Sequence, residues 1–210
     1  MPSALIWGAS GGIGSALVAL LKNKGWTVFG VARDESKIPA SADRQFTCDA
    51  NDCSSFDQTV SLIARQTDGI DWMVYAIGGI RANLIEKMPI EDWQTTFNIN
   101  LHGAFYATRA SLDVMTKAGH ITFLGVYPEK ITLPRMSAYT ASKVALEAYV
   151  NILKKEQRKL TITLARLPAV NTPFWENVPF KIPDYALSPQ AVAESLFIHY
   201  DKGIGEDLNI

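Results

Sequence analysis

Tyr139 and Lys143 stand four residues apart in the run Ala138, Tyr139, Thr140, Ala141, Ser142, Lys143. On a helix that spacing raises a phenol and an ammonium one above the other on a single face. A tyrosine with an ordinary pKa near ~10 exchanges protons poorly at neutral pH, and a cation a few ångströms away lowers that value. The pair is therefore a candidate for proton transfer near pH 7. Taken alone, the same spacing also describes a half-buried aromatic and a surface lysine on an amphipathic helix. What favours the chemical reading is the first turn of the chain.

There an apolar run, Ala4 to Trp7, leads into Gly8, Gly11, Gly12 and Gly14, and helical periodicity follows from Ser15 to Lys24. In such a strand, turn and helix, Gly8 permits a sharp turn, Gly12 lets backbone amides approach a pyrophosphate, and Gly14 lets the helix pack closely on the strand. The positive end of the helix then faces the phosphates. A second strand, Trp26 to Ala32, ends about twenty residues after the turn, where an adenosine ribose would lie. An acid at that point would select NAD. The chain instead has Ala32 followed by Arg33, whose donor fork suits a 2′-phosphate, so NADP (NADPH) is expected ahead of NAD. Asp34 is the competing choice if the register shifts.

A third strand, Gln45 to Asp49, places Asp49 at its carboxyl end as an adenine contact or as a cap for the helix from Cys53 to about Thr67. The fourth strand, Asp71 to Ile77, ends in Gly78 and Gly79, where backbone would meet the cofactor. Ile90 to Lys117 reads as one long helix, with Trp93, Phe97, Leu101 and Phe105 as its buried face. Within it Asn100 needs a partner, or a task such as holding a water. His120 to Gly125 is a fifth strand. The helix of Tyr139 runs to about Lys159, with Ala141, Ala145 and Ala148 as a small-residue face suited to close packing on a second subunit. Leu160 to Arg166 is a sixth strand. Pro168 to Pro183 holds four prolines together with Phe174, Trp175 and Phe180, and reads as a connection without regular structure that covers the substrate, extending over about 168–187. Ser188 and Pro189 start the last helix, which reaches about Lys202, and Gly203 to Ile210 begins a seventh strand.

The 210 residues, 48% hydrophobic, suffice for one domain over 1–210 with a substantial core. The formal charge of -1, with both signs mixed along the chain, provides no basic stripe, so a small-molecule substrate is expected and neither nucleic acid nor membrane. Cys48 and Cys53 lack metal-ligand spacing and read as free thiols; no metal is expected. With no signal segment and no span of ~20 apolar residues, the expected location is cytoplasmic.

Together, the glycine turn, the alternating strands and helices, and the Tyr139 and Lys143 pair resemble the short-chain dehydrogenase/reductase family over nearly the whole chain. The resemblance implies an α/β fold, a Rossmann-type doubly wound parallel sheet in three α/β/α layers. It places a dinucleotide on Gly8, Ser10, Gly11, Gly12, Ile13, Gly14, Arg33, Asp49, Ala50, Ala76, Gly78, Tyr139, Lys143, Pro168 and Thr172. It places catalysis on Tyr139, Lys143 and Asn100, the last within Asn98-Ile99-Asn100-Leu101-His102-Gly103, and it implies a homodimer or homotetramer. The chain departs from the family pattern where Trp7 replaces a threonine, where Tyr75-Ala76-Ile77-Gly78 replaces Asn-Asn-Ala-Gly, where Pro168-Ala169 replaces a proline-glycine pair, and where Leu124-Gly125-Val126-Tyr127 stands in place of the catalytic serine, leaving Tyr127 as the one hydroxyl there. Dihydropteridine reductases are similar in lacking that serine and in a Gly-Gly pair after the fourth strand. The expected activity is reduction of a small carbonyl or quinonoid compound by NADPH, with Tyr139 as proton donor. The alternatives are a dihydropteridine-reductase-like enzyme and a cofactor-binding sensor or subunit without turnover.

Overall fold

The computed structural model describes residues 1–210, with strands β1 (Ser3–Trp7), β2 (Thr27–Ala32), β3 (Arg44–Thr47), β4 (Ile70–Tyr75), β5 (Met115–Val126), β6 (Thr161–Leu167) and β7 (Leu208–Asn209). They form one sheet in the order β3-β2-β1-β4-β5-β6-β7, and every neighbouring pair is parallel. The helices are α1 (Gly12–Asn23), α2 (Cys53–Ala64), α3 (Ile90–Phe97), α4 (Gly103–Ser111), α5 (Pro128–Ile131), α6 (Ser137–Glu156) and α7 (Pro189–Asp201). This is the expected doubly wound α/β sheet.

Helices cover both faces of the sheet, so its central strands are continuous apolar runs and all of β1 is buried. Successive side chains of β1 still feed opposite cores. Leu5 and Trp7 pack with Phe56 and Val60 of α2, Ala104 of α4 and Leu146 of α6. Ala4 and Ile6 pack with Leu17 of α1 and Val192 of α7. No helix is long and apolar enough to cross a membrane.

The long helix expected over 90–117 is broken. α3 passes into a π-turn at Asn98–His102, α4 ends at Ser111, and β5 already starts at Met115. Nor do the large side chains form the buried face: Trp93, Phe97 and Leu101 are half-buried and Phe105 is exposed, while Thr96, Asn100, Ala104 and Ala107 face inward. A π-turn inserts a residue into the helical repeat, and the small side chains bring the helix close to the sheet. The connection after β6 also has local order, with a 3-10 turn at Pro173–Asn177 and an isolated bridge between Val170 and Leu187. Ser188 caps α7, its hydroxyl accepting from the Ala191 amide at 3.1 Å.

Candidate active site

β1 delivers the chain to Gly8, whose φ of +89° lies in the left-handed region open to glycine. α1 then begins without a side-chain cap and without an acid in its first turn. Gly11 bonds back to the Gly8 carbonyl at 3.0 Å and Ser15 to that of Gly11 at 2.8 Å, whereas the amides of Gly12, Ile13 and Gly14 have no backbone acceptor. Three donors at the positive end of a helix make an anion cradle. Ser10 and Gly11 beside it are exposed. A Cβ at Gly12 would stand 2.5 Å from Cγ2 of Thr172, so Thr172 lies directly over the turn, and Pro168 is half-buried at the start of the same connection. These residues fit a dinucleotide diphosphate.

At the end of β2, Arg33 is exposed and makes neither a hydrogen bond nor an ion pair. Asp34 is engaged: it accepts from the Ser36 amide at 3.1 Å and the Ser36 hydroxyl at 2.6 Å, and it lies 3.4 Å from Lys37. The Ser36 hydrogen bonds hold its carboxyl below the usual range. The placement of Asp49 needs correction. β3 stops at Thr47, and Asp49 is exposed beyond the strand end, accepting from the Asn51 amide at 3.0 Å and side chain at 3.1 Å. Asp52, not Asp49, caps α2, through the Ser54 amide at 2.9 Å. Ala50 is buried.

β4 ends at Tyr75, two residues before the expected Ile77. The half-buried Ala76 bonds to the Trp7 carbonyl at 2.8 Å, and Gly78 follows within 3.7 Å of Oδ1 of Asn100, measured from the Cβ it lacks. Asn100 is fully buried. Its Nδ2 donates to the carbonyls of Gly79 at 2.7 Å and Thr96 at 2.9 Å, and its Oδ1 accepts from the Gly79 amide at 3.2 Å. The side chain therefore clamps the loop after β4. Tyr75 holds the π-turn that aims Asn100, its hydroxyl donating to the Ile99 carbonyl at 2.7 Å. Gly103 leaves room for that hydroxyl, since a Cβ there would lie 2.3 Å from it.

α6 brings Tyr139 and Lys143 to one face, both of them buried. The Lys143 ammonium donates to the Leu124 carbonyl at 2.9 Å and lies 6.0 Å from the centre of the Tyr139 ring. Burial pushes Lys143 down to about 8 and pushes the Tyr139 phenol up. Leu124 lies one residue beyond the last β4–β5 pair, Tyr75 with Phe123. A desolvated ammonium takes such an acceptor when one is near.

Tyr139 clusters with Ile80 and Met136, and Val126, Phe174 and Val178 pack against them. The Phe174 ring lies 5.3 Å from that of Tyr139. At the end of β5, the side chain in this cluster is Val126. The Tyr127 hydroxyl donates to the Ile210 carbonyl at 3.1 Å, so it is turned to the chain terminus and not to Tyr139. Sequence reasoning missed the supporting roles of Tyr75, Gly103 and the Leu124 carbonyl. A tyrosine ending an otherwise apolar strand was the available signal for the first.

A parallel α/β sheet, a glycine-rich anion cradle at its first crossover and a Tyr/Lys helix beside it define a dinucleotide-binding oxidoreductase. The chain belongs to the short chain dehydrogenase family, whose model matches residues 2–181; members of this family bind NAD(P). It is 32% identical over 208 residues to the fatty acyl-CoA reductase of Acinetobacter baylyi, covering 91% of this chain and 70% of that protein. It is 28% identical over 204 residues to the 3-oxoacyl-[acyl-carrier-protein] reductase of Thermotoga maritima, covering 88% and 80% respectively. The fold matches an alcohol dehydrogenase from Thermococcus sibiricus complexed with 5-hydroxy-NADP at a TM-score of 0.90 and 22% identity, over 100% of this chain and 96% of that one.

Proposed function

We propose that the protein reduces a small carbonyl or quinonoid compound with NADPH, Tyr139 giving the proton. The observation that carries this reading is the state of the β2 end, where Asp34 is engaged with Ser36 and Lys37 while Arg33 is exposed and unpartnered. A 2′-phosphate suits that guanidinium, and a ribose diol has no uncommitted acid to meet.

Gly12, Ile13 and Gly14 would hold the diphosphate, Arg33 the 2′-phosphate, and Lys143 the ribose next to the nicotinamide. The cofactor supplies a hydride. As the substrate C=O π bond breaks, Tyr139 donates its proton to the oxygen, and Lys143 is the cation available to stabilise the phenolate left behind. Asn100 keeps the Gly78 and Gly79 backbone in place. Val126 donates nothing, so the oxygen meets one hydroxyl. A missing oxyanion donor costs on the order of 10²- to 10³-fold, which favours substrates that are electrophilic by themselves, aldehydes or quinonoid rings, over plain ketones. Val126, with Gly78 and Gly79, also keeps a dihydropteridine-type reduction as the second reading.

Exposed Phe105, Val144 and Ile152 on α4 and α6 support a homodimer or homotetramer, which light scattering would measure. The functional reading is tested by fluorescence titration with both cofactors and by turnover of aldehydes and quinonoid dihydropterin. NADPH should bind more tightly, and Arg33→Ala should weaken it about tenfold to hundredfold while leaving NADH nearly unchanged. Tyr139→Phe should remove turnover and spare cofactor affinity. Equal binding of the two cofactors by the unmodified protein overturns the NADPH assignment.

A further inference from the structure

We infer that Arg166 and Asp207 are positioning residues for the reaction: with Glu147 and Lys154 they form a chain of four charges that sets where α6, and with it Tyr139 and Lys143, lies along its own axis. The inference rests on Tyr139 as the proton donor. Tyr139, Lys143, Glu147 and Lys154 follow one another on α6 at intervals of four, four and seven residues, so they share one side of the helix. Their partners stand at three adjacent strands. Lys143 donates to the Leu124 carbonyl of β5 at 2.9 Å, Glu147 pairs with Arg166 of β6, and Lys154 pairs with Asp207, the residue before β7. Arg166 and Asp207 meet at 3.3 Å, so the chain of charges leaves α6 at Glu147 and returns to it at Lys154.

The other contacts on this side of α6 are aliphatic, with Leu146, Val150 and Leu153 packed in the core beneath it. Apolar burial holds a helix against a sheet without a preferred direction, whereas a hydrogen bond weakens steeply off its axis. The directional ties therefore decide the register. Near Tyr139, the Thr140 hydroxyl donates to the Ile131 carbonyl at 2.7 Å, which lies in the connection after β5 and not in the sheet.

The charges supply the fixed reference. Arg166 meets Glu147 through Nη2 and Asp207 through Nη1, and its planar fork sets the angle between them. Asp207 is held in turn, because its Oδ1 accepts from the Leu164 amide of β6 at 3.1 Å as well as from Lys154. α6 is thus tied to the β6 and β7 edge at two points seven residues apart, about 10 Å along the helix. None of the four side chains is more than 28% exposed, so solvent screens the chain only in part.

The test is the double variant Glu147→Leu with Arg166→Met, which replaces one ion pair by apolar side chains and leaves Asp207 with Lys154 and the Leu164 amide. Such exchanges commonly preserve stability, so Tm should stay near that of the parent. The kcat for aldehyde reduction with NADPH should still fall about tenfold, and kcat/KM with it, because a displaced proton donor is missed in the transition state. Glu147→Gln alone, which still accepts from Arg166, should retain most of the rate. A purely structural pair would move Tm and spare kcat, so a double variant with parental kcat overturns the inference. Crystal structures of parent and double variant need no turnover; they should show α6 shifted on the sheet, and an unmoved Tyr139 overturns the inference as well. A shifted α6 in a protein whose parent reduces neither aldehydes nor quinonoid compounds removes the reductase reading and keeps the control of register. If the double variant does not fold, Asp207→Asn carries the same prediction at smaller size, since its amide nitrogen cannot accept from Arg166.

Discussion

Lys143→Met should make the protein more stable and less able to bind its cofactor. Lys143 is 6% exposed, and its ammonium has one acceptor, the Leu124 carbonyl. Burial lowers its pKa from 10.5 to about 8; at about 1.36 kcal/mol per pH unit, that places about 3 kcal/mol against the charged form at neutral pH. Methionine keeps the length of the side chain and removes the charge, while leaving the Leu124 carbonyl without its donor at a cost of about 1–2 kcal/mol. The net gain is about 1–2 kcal/mol, a rise in Tm of roughly 2–8 °C for a chain of this length. Because the folded pKa is depressed, the unfolded chain retains a proton between about 8 and 10.5 that the folded lysine has lost. The unmodified protein should therefore gain stability as pH rises across that window, and the variant should not. Thermal unfolding at pH 7 and pH 9.5, with an NADPH titration of each protein, checks both halves. A variant that melts lower than its parent at pH 7 would show that the buried ammonium is stabilising, and the reasoning from its desolvation would be wrong.

Gly103→Ala should disturb the π-turn, because the new Cβ would meet the Tyr75 hydroxyl at 2.3 Å; adding Tyr75→Phe should recover part of the lost stability, and a double-mutant cycle in urea with no coupling would refute the contact. His120 is buried and hydrogen-bonded to Thr163 at 2.8 Å, and burial, then the charge of His199, lowers its pKa to about 4. Its contribution is fully present above about 6.5 and is lost as pH falls to about 4, about 3 kcal/mol in all. His120→Gln should lose correspondingly less stability between pH 7 and pH 4.5 in denaturant titrations. Val126→Ser should raise turnover of simple ketones relative to quinonoid substrates by supplying a second donor beside Tyr139. An equal change with both classes would show that Val126 does not set the electrophilicity the site requires.

The parts of the site legible in the sequence are those governed by local chemistry. The turn at Gly8 is dictated by a conformation that glycine alone adopts freely, and Tyr139 and Lys143 share a face because a helix places i and i+4 together. Ser188 as a cap was equally plain, since its hydroxyl and the following Pro189 act within one turn. The strand at Gln45 was read too long for a related reason: Asp49 has the composition of either a strand end or a cap, and the actual cap is another acid, Asp52, three residues on. Composition could not choose between them.

What the sequence hid were choices among competing long-range partners. Lys143 donates to the Leu124 carbonyl, an acceptor left open where β4 stops beside β5, at a boundary two residues before the expected one. The π-turn was hidden in the same way. The four-residue spacing of Trp93, Phe97, Leu101 and Phe105 is a good helical stripe, yet the fold buries the parallel row of Thr96, Asn100 and Ala104, because Asn100 finds three hydrogen bonds on that side and Tyr75 anchors the Ile99 carbonyl. A hydrophobic stripe overridden by a buried amide points to function, since large apolar side chains left half-buried must be offset elsewhere. Here the offset lies in the clamp on Gly79, the segment whose backbone would meet the cofactor.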